Sequence, residues 1–414
     1  MKILYVSQYF PPEMGAPAAR VSELSRHWAE LGHEVCVLTS FPNHPTGIVP
    51  PEYRGKILQH ERWGKVEVVR TWIYATPNRG VARRSLAFLS FAASSVLLGA
   101  LQRTVREVDV VVATSPQFFC AVSGYVLSRI LGVPYVLEVR DLWPASIVEV
   151  GALRAGHPIV AGLERIEQFL YRSAALLVSV TESYCDVWRA QGVDPAKMRV
   201  VENGVDLRLF QPAPKLGPQR EALGLRDAFI VSYIGTHGMA QRLETLLEAA
   251  ERLRDDPSIH VLLVGEGAER ERLMAQAAAR GLTNVTFLGQ QPREAIPALV
   301  AASDLVAVPL RRAELFEKVI PSKMFEIMGC ARPMVLGVRG EAEALLRRSG
   351  AGWAVPPEDP EALAEVIRRA KADPEQLQRR GEAGRAFVSR HYDRDALAER
   401  YLADLEAVVG RRRP

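Results

Sequence analysis

The feature that most constrains this chain is an alternation that runs through it twice. Short apolar runs of strand character trade places with longer amphipathic runs of helical period: Lys2 to Ser7, then Pro17 to Leu31 closed by Gly32, then Glu34 to Thr39. Val108 to Thr114, Tyr135 to Val139, Leu176 to Thr181 and Met198 to Val201 continue the strands, with helices predicted at about 117 to 131 and 158 to 172. Steady alternation of this kind belongs to βαβ units and a parallel sheet, so the pattern predicts an α/β fold. It breaks once, at Phe210 to Pro218, a proline-rich stretch without period that reads as a linker. It then restarts with Phe229 to Ile234, His260 to Val264, Val285 to Leu288, Leu305 to Val308 and Pro333 to Val338.

Two doubly wound, Rossmann-like domains are therefore predicted, 1–209 and 210–391, facing a central cleft. A last amphipathic helix within 392–414 is expected to fold back onto the first domain. Sheets of this kind take ligands at the carboxyl ends of their strands, so function is sought in the loops that follow each strand.

Composition narrows the partners. With 48% hydrophobic and 24% charged residues in 414, the chain can fill two cores. A net charge of +4 is too small to argue for nucleic acid, and Gly410 to Pro414 (GRRRP) reads as a solvated end. Cys36, Cys120, Cys185 and Cys330 are scattered with no C-x-x-C pair, which suits reduced core thiols and a cytoplasmic protein. Met1 to Ser7 enters a strand without a signal-peptide run, so export is not expected. Ser85 to Leu101 carries no charge and is framed by Arg79, Arg83, Arg84, Arg103 and Arg106. At roughly 26 Å it falls short of a bilayer core. A buried helix and an interfacial helix whose arginines meet lipid phosphates both remain open.

Several loops can hold chemistry. After the first strand, Tyr9 to Arg20 delivers Gly15 to a helix start, either as an anion cradle or as a plain turn. In the second half, Phe229 to Leu243 repeats the device with Gly235, Thr236, His237 and Gly238, and places Gln241 and Arg242 in the first helical turn. Val264-Gly265-Glu266-Gly267 begins like a dinucleotide fingerprint, but Arg270 stands where the third glycine belongs, which disfavours an NAD-dependent oxidoreductase. Arg140 and Asp141 close the strand from Tyr135, either paired with each other or facing the cleft. Phe41 to Gly47 is a rigid proline loop that presents Asn43 and His44.

Taken together, these stretches resemble the retaining nucleotide-sugar glycosyltransferases of the GT-B fold, family 4. Val264-Gly-Glu-Gly is similar to the family's V-G-x-G turn, Asn284 to Gly289 (NVTFLG) to its N-V-x-F-x-G strand, and Ala302 to Pro309 (ASDLVAVP) to its A-D-x-x-x-x-P segment. Val6 to Glu13 (VSQYFPPE), Arg140 to Pro144 (RDLWP) and Pro321 to Glu326 (PSKMFE) look like the WbuB-like branch that builds colanic-acid and O-antigen type surface polysaccharides. The resemblance implies a nucleoside diphosphate sugar, a UDP-sugar by family habit, held by the second domain. It implies a saccharide acceptor, commonly lipid-linked at the cytoplasmic membrane surface, received by the first.

It also implies hexosyltransferase-type transfer with retained configuration and no metal or other cofactor. The family's E-x7-E pair holds the donor, and Glu326 matches its second acid. Eight places back stands Lys318, with Glu317 at nine, so the first acid is displaced or missing. Lys323, beside Ser322 at a helix start, is the expected cation for the diphosphate. A nucleotide-sugar 2-epimerase of the same architecture and an inactive nucleotide-sugar-binding scaffold are the alternatives.

Overall fold

The computed structural model describes residues 1–13, 15–44, 46–76, 81–149, 153–154 and 156–411. Arg79, one of the arginines framing 85–101, and the last three residues of the GRRRP end lie outside them. The chain folds as two compact units, one formed by Met1–Glu202 with the chain from Arg394 onward, the other by Asn203–Asp393.

Unit one is built on an eight-stranded sheet. In chain order its strands are β1 (Lys2–Val6), β2 (Glu34–Ser40), β3 (Leu58–Trp63), β4 (Val66–Thr71), β5 (Val110–Thr114), β6 (Tyr135–Val139), β7 (Leu176–Ser179) and β8 (Met198–Val200). Their spatial order is β3-β4-β2-β1-β5-β6-β7-β8, parallel throughout except for β3 against β4. That antiparallel hairpin turns on Gly64 and Lys65, with Trp63 opposite Val66. It was not visible in the sequence because β3 (LQHERW) is polar and half-exposed, as an edge strand can be. Central strands are buried end to end and rich in valine, which a parallel sheet covered on both faces requires.

The helix Arg394–Gly410 belongs to this unit. Leu397, Tyr401 and Leu405 share a core cluster with Val21, Leu24 and Trp28 of the helix Ala16–Glu30, and the Trp28 indole N–H donates to the Ala398 carbonyl at 2.9 Å.

Unit two carries a six-stranded parallel sheet: β9 (Phe229–Ile234), β10 (Ile259–Val264), β11 (Val285–Leu288), β12 (Leu305–Pro309), β13 (Met334–Gly337) and β14 (Gly352–Ala354). The order β11-β10-β9-β12-β13-β14 is the Rossmann order, with its switch point between β9 and β12. Val205 and Phe210 sit in this unit's core, and Val205 pairs with Asp393, so the chain's entry into the unit and its exit lie side by side. All four cysteines are buried and free. Among the described residues no helix is long and apolar enough to cross a membrane.

Candidate active site

At the switch point of unit two, β9 runs into Gly235-Thr236-His237-Gly238. The Tyr233 hydroxyl donates to the Thr236 carbonyl at 2.7 Å, the Gly235 N–H to the Val264 carbonyl at 2.9 Å and the His237 N–H to that of Glu266 at 2.8 Å. Every second amide is thus used to hold the turn. Among the described residues, the amides of Thr236 and Gly238 donate to nothing. Two unclaimed N–H groups in a glycine turn at a switch point make an anion cradle.

Two glycines are obligatory here. Gly235 holds φ at 148°, and a Cβ on it would lie 2.6 Å from Lys323 Nζ. Gly265 holds φ at 134° and presses on the Gly235 carbonyl so closely that any side chain would collide with backbone.

Lys323 opens the helix Lys323–Gly329, with Ser322 as an N-cap that makes no side-chain capping bond. Its Nζ lies 3.8 Å from the centroid of the Tyr233 ring and over Gly235. Burial lowers the lysine to about 7, opposed by the charge of Glu326. Glu326 does not pair with it. Instead Arg293, from the turn Arg293–Ala295 after β11, brings Nη1 to 3.4 Å from Glu326 Oε1 while its guanidinium stacks 5.4 Å from the Phe210 ring. Burial raises Glu326, and Arg293 and then Lys323 pull against that rise. The i, i+3 pairing of Lys323 with Glu326, the plain structural explanation of this charge, is not formed. The ammonium is left over the glycine turn.

The remaining residues singled out in unit two separate from this group. His237 is fully buried, its ring 5.9 Å from Tyr233 and 6.3 Å from Phe287. Burial and then the charges of Arg270 and Lys323 depress it to about 4, so the ring is neutral. Gln241 ends a 3-10 turn (Met239–Gln241) and its side chain lies against Gly238. Arg242 is not in the first helical turn: it takes a left-handed φ of 46°, the helix begins at Glu244, and its guanidinium lies 3.4 Å from Glu244 and 3.6 Å from Glu358. Lys318 pairs with Glu314 at 3.1 Å. Glu317 is exposed, and among the described residues no partner of its carboxylate is found.

In unit one the corresponding strand ends are those of β1, β5 and β6. Glu138 is fully buried at the end of β6 and is satisfied by Arg20 (2.9 Å), the Tyr5 hydroxyl (3.0 Å) and the Thr114 hydroxyl (2.6 Å). Arg140 and Asp141 form no ion pair with each other. Both backbone amides go to Ser115 Oγ, at 2.8 and 3.4 Å. Among the described residues Arg140 Nε and Nη1 are buried without a hydrogen-bond partner, and burial lowers this arginine while raising Asp141 to about 6.

Nearby, Glu13 Oε1 accepts from the amides of Asn43 and His44, each at 2.8 Å, and burial raises Glu13 to about 7. This ties the loop after β1 to the loop after β2. Gln8, Tyr9, Asn43, His44, Arg84 and Phe88 line a small open pocket there. Gly15 caps the helix Ala16–Glu30 with φ 126° and no side-chain bond. Arg293 and Ser115 had no signal in the sequence, since each acts through a partner far along the chain, and Glu13 stood there only as the end of the VSQYFPPE stretch. Among the described residues no group of three or more His, Cys, Asp or Glu is placed to hold a metal ion.

Comparison with known proteins identifies the family. Residues 218–387 match the family model described as glycosyl transferases group 1, and residues 15–204 match the glycosyl transferase 4-like domain. The chain belongs to the group 1, family 4 glycosyltransferases. This glycosyltransferase is 28% identical over 413 residues to WcaI of Escherichia coli K12, which carries the name of a colanic acid biosynthesis glycosyl transferase; the match covers 98% of this chain and 100% of that one. It is 26% identical to 2-deoxystreptamine glucosyltransferase of Streptomyces kanamyceticus, over 95% of this chain and 99% of that one.

Among solved structures it superposes on Anabaena HepE, crystallised with UDP and glucose, at a TM-score of 0.74 with 21% identity, covering 98% and 99% of the two chains. It matches WaaG, a glycosyltransferase involved in lipopolysaccharide biosynthesis, at 0.69 with 17% identity, covering 96% and 98%. The fold is GT-B, with a Rossmann-like sheet in each unit, and the protein is a nucleotide-sugar glycosyltransferase.

Proposed function

We propose that this glycosyltransferase moves a hexose from a UDP-sugar to a hydroxyl of a lipid-linked saccharide, with retained anomeric configuration, during assembly of a surface polysaccharide at the cytoplasmic face of the membrane. The observation that carries the reading is the placement of Lys323, whose Nζ stands over Gly235 with no carboxylate among the described residues paired to it. In this reading the diphosphate lies on the Gly235–Gly238 turn and accepts from the amides of Thr236 and Gly238 and from Lys323. The charge that grows on the departing diphosphate is then met by groups already in place, and preorganised electrostatic stabilisation of this kind lowers such a barrier more than any other single effect.

Glu326, steadied by Arg293, accepts from the ribose hydroxyls. Glu317 is the acid available to the donor sugar, and Arg140 and Asp141 receive the acceptor on unit one, with His44 and Gly15 at neighbouring strand ends. UDP as the nucleotide is supported by HepE, whose crystals hold UDP and glucose, and the polysaccharide role by the names of WcaI and WaaG.

The test is a thermal-shift screen of UDP-, GDP- and ADP-sugars, followed by transfer to extracted lipid-linked saccharides. A UDP-sugar is expected to stabilise the wild type and to be consumed only when acceptor is present, with both effects lost in Lys323→Ala and Glu326→Ala. Conversion of a UDP-sugar with no acceptor would instead make the protein an epimerase, and turnover unaffected by either substitution would sink the donor-site assignment.

A further inference from the structure

The helix Val81–Gly99 has two unlike faces. Ala87, Phe88, Phe91 and Ser95 are buried in unit one. On the opposite side Leu86, Leu89 and Leu97 are 52%, 47% and 69% exposed, and Leu101 just beyond the helix is 72% exposed. Leu86, Leu89 and Leu97 recur at helical spacing, so they form one stripe.

A second element widens it. The extended segment after β4 is laid along the helix by two hydrogen bonds, Ser94 Oγ to the Trp72 carbonyl at 2.5 Å and the Tyr74 N–H to Ser90 Oγ at 2.8 Å. Ile73 turns inward, and Trp72 and Tyr74 turn outward at 43% and 40% exposure. Leucines flanked by a tryptophan and a tyrosine form an exposed apolar patch, and a patch of this kind marks an interaction site.

Charge selects the partner. From residue 81 to residue 106 the chain holds no acidic side chain, while Arg83 and Arg106 are exposed at the two ends of the stripe; Arg84 lies on the other face, 5.3 Å from the Phe88 ring. Arg103 is already engaged, its Nε donating to Glu107 at 2.8 Å. A leucine face with amphipathic aromatics at its edge and arginines at both ends matches a bilayer surface with anionic headgroups: leucines in the acyl boundary, Trp72 and Tyr74 at headgroup level, arginines on lipid phosphates. We infer that this patch, made by the helix Val81–Gly99 and the Trp72–Tyr74 segment, is the surface on which unit one seats itself on an anionic membrane. The inference rests on the proposal that the acceptor is lipid-linked and is independent of the donor site, since none of these residues belongs to unit two.

Vesicle sedimentation tests it, using the full chain with phosphatidylglycerol–phosphatidylethanolamine vesicles against phosphatidylcholine vesicles. At least tenfold more protein is expected on the anionic vesicles, with binding weakened by salt and Trp72→Phe removing a blue shift of fluorescence on binding. The paired substitution Leu89→Glu with Leu97→Glu is expected to abolish vesicle binding while leaving the melting temperature and its rise with UDP unchanged. Equal retention on both vesicle types, or undiminished binding by the leucine variant, would overturn the inference. So would a wild-type dimer in sedimentation equilibrium that the leucine variant dissolves, because the stripe would then cover a second copy of the chain. Wild-type protein that ignores vesicles yet transfers sugar to a detergent-dispersed acceptor would end this inference and leave the proposed function standing.

Discussion

Lys323 is a cation short of a counter-ion, and that shortage has a measurable sign. Held near 7 by burial, it is largely neutral in the free protein at pH 8, and a bound diphosphate restores the ammonium. Donor binding at pH 8 is therefore expected to take up a proton, and binding at pH 6, where the lysine is already charged, to take up almost none. Calorimetry in two buffers of different ionisation enthalpy reads this directly, and Lys323→Met should erase the uptake while lowering kcat/KM by about 100-fold or more.

Arg293 predicts the opposite pH trend. It opposes the burial that raises Glu326, so in Arg293→Met the carboxyl protonates at higher pH. Donor KM should then rise more steeply on acidification than it does in the wild type, with kcat less affected, and Arg293→Lys should recover part of the loss. A KM that rises equally at every pH would reduce Arg293 to a packing residue against Phe210.

At the scale of elements, the Gly235–Gly238 turn is a stack of backbone on backbone. The β10 turn at Gly265 lies against the β9 turn at Gly235, and the Arg311 N–H after β12 donates to the Ala240 carbonyl at 2.8 Å, so loops after three strands are fastened together. Gly265→Ala is expected to cost about 1–3 kcal/mol in urea unfolding through its positive φ. It should also suppress the UDP-induced thermal shift, because the carbonyl it displaces belongs to the cradle itself. Much of this was legible in the sequence: the glycines, Thr236 and the helix start at Lys323 follow apolar runs in the order a Rossmann sheet needs. The start of the helix after Arg242 was not, since an arginine in left-handed geometry leaves no compositional trace.

At the scale of the whole molecule, unit one is completed by a segment that follows unit two in the chain. The indole of Trp28 is fully buried, stacks edge-on at 5.4 Å against Tyr401 and donates to Ala398. Trp28→Ala should remove about 3–5 kcal/mol from unit one. Calorimetry should then resolve two transitions, with the lower one moved down and the UDP-sensitive one unmoved. A single transition shifted as a whole would show that the units unfold together.

The sequence by itself determined the α/β class, the two runs of strands, the glycine turns and the family, because these depend on local period and on residues close along the chain. It also carried the acid count around Glu326 that set Glu317 and Lys318 apart. Only the tertiary structure decided which charges meet. Arg293 comes to Glu326 from 33 positions away. The exposed leucines acquire Trp72 and Tyr74 as neighbours through hydrogen bonds across more than a dozen residues. Ion pairing and shared surface are fixed by distance in space, and spacing along the chain does not encode that distance once the chain has crossed a sheet.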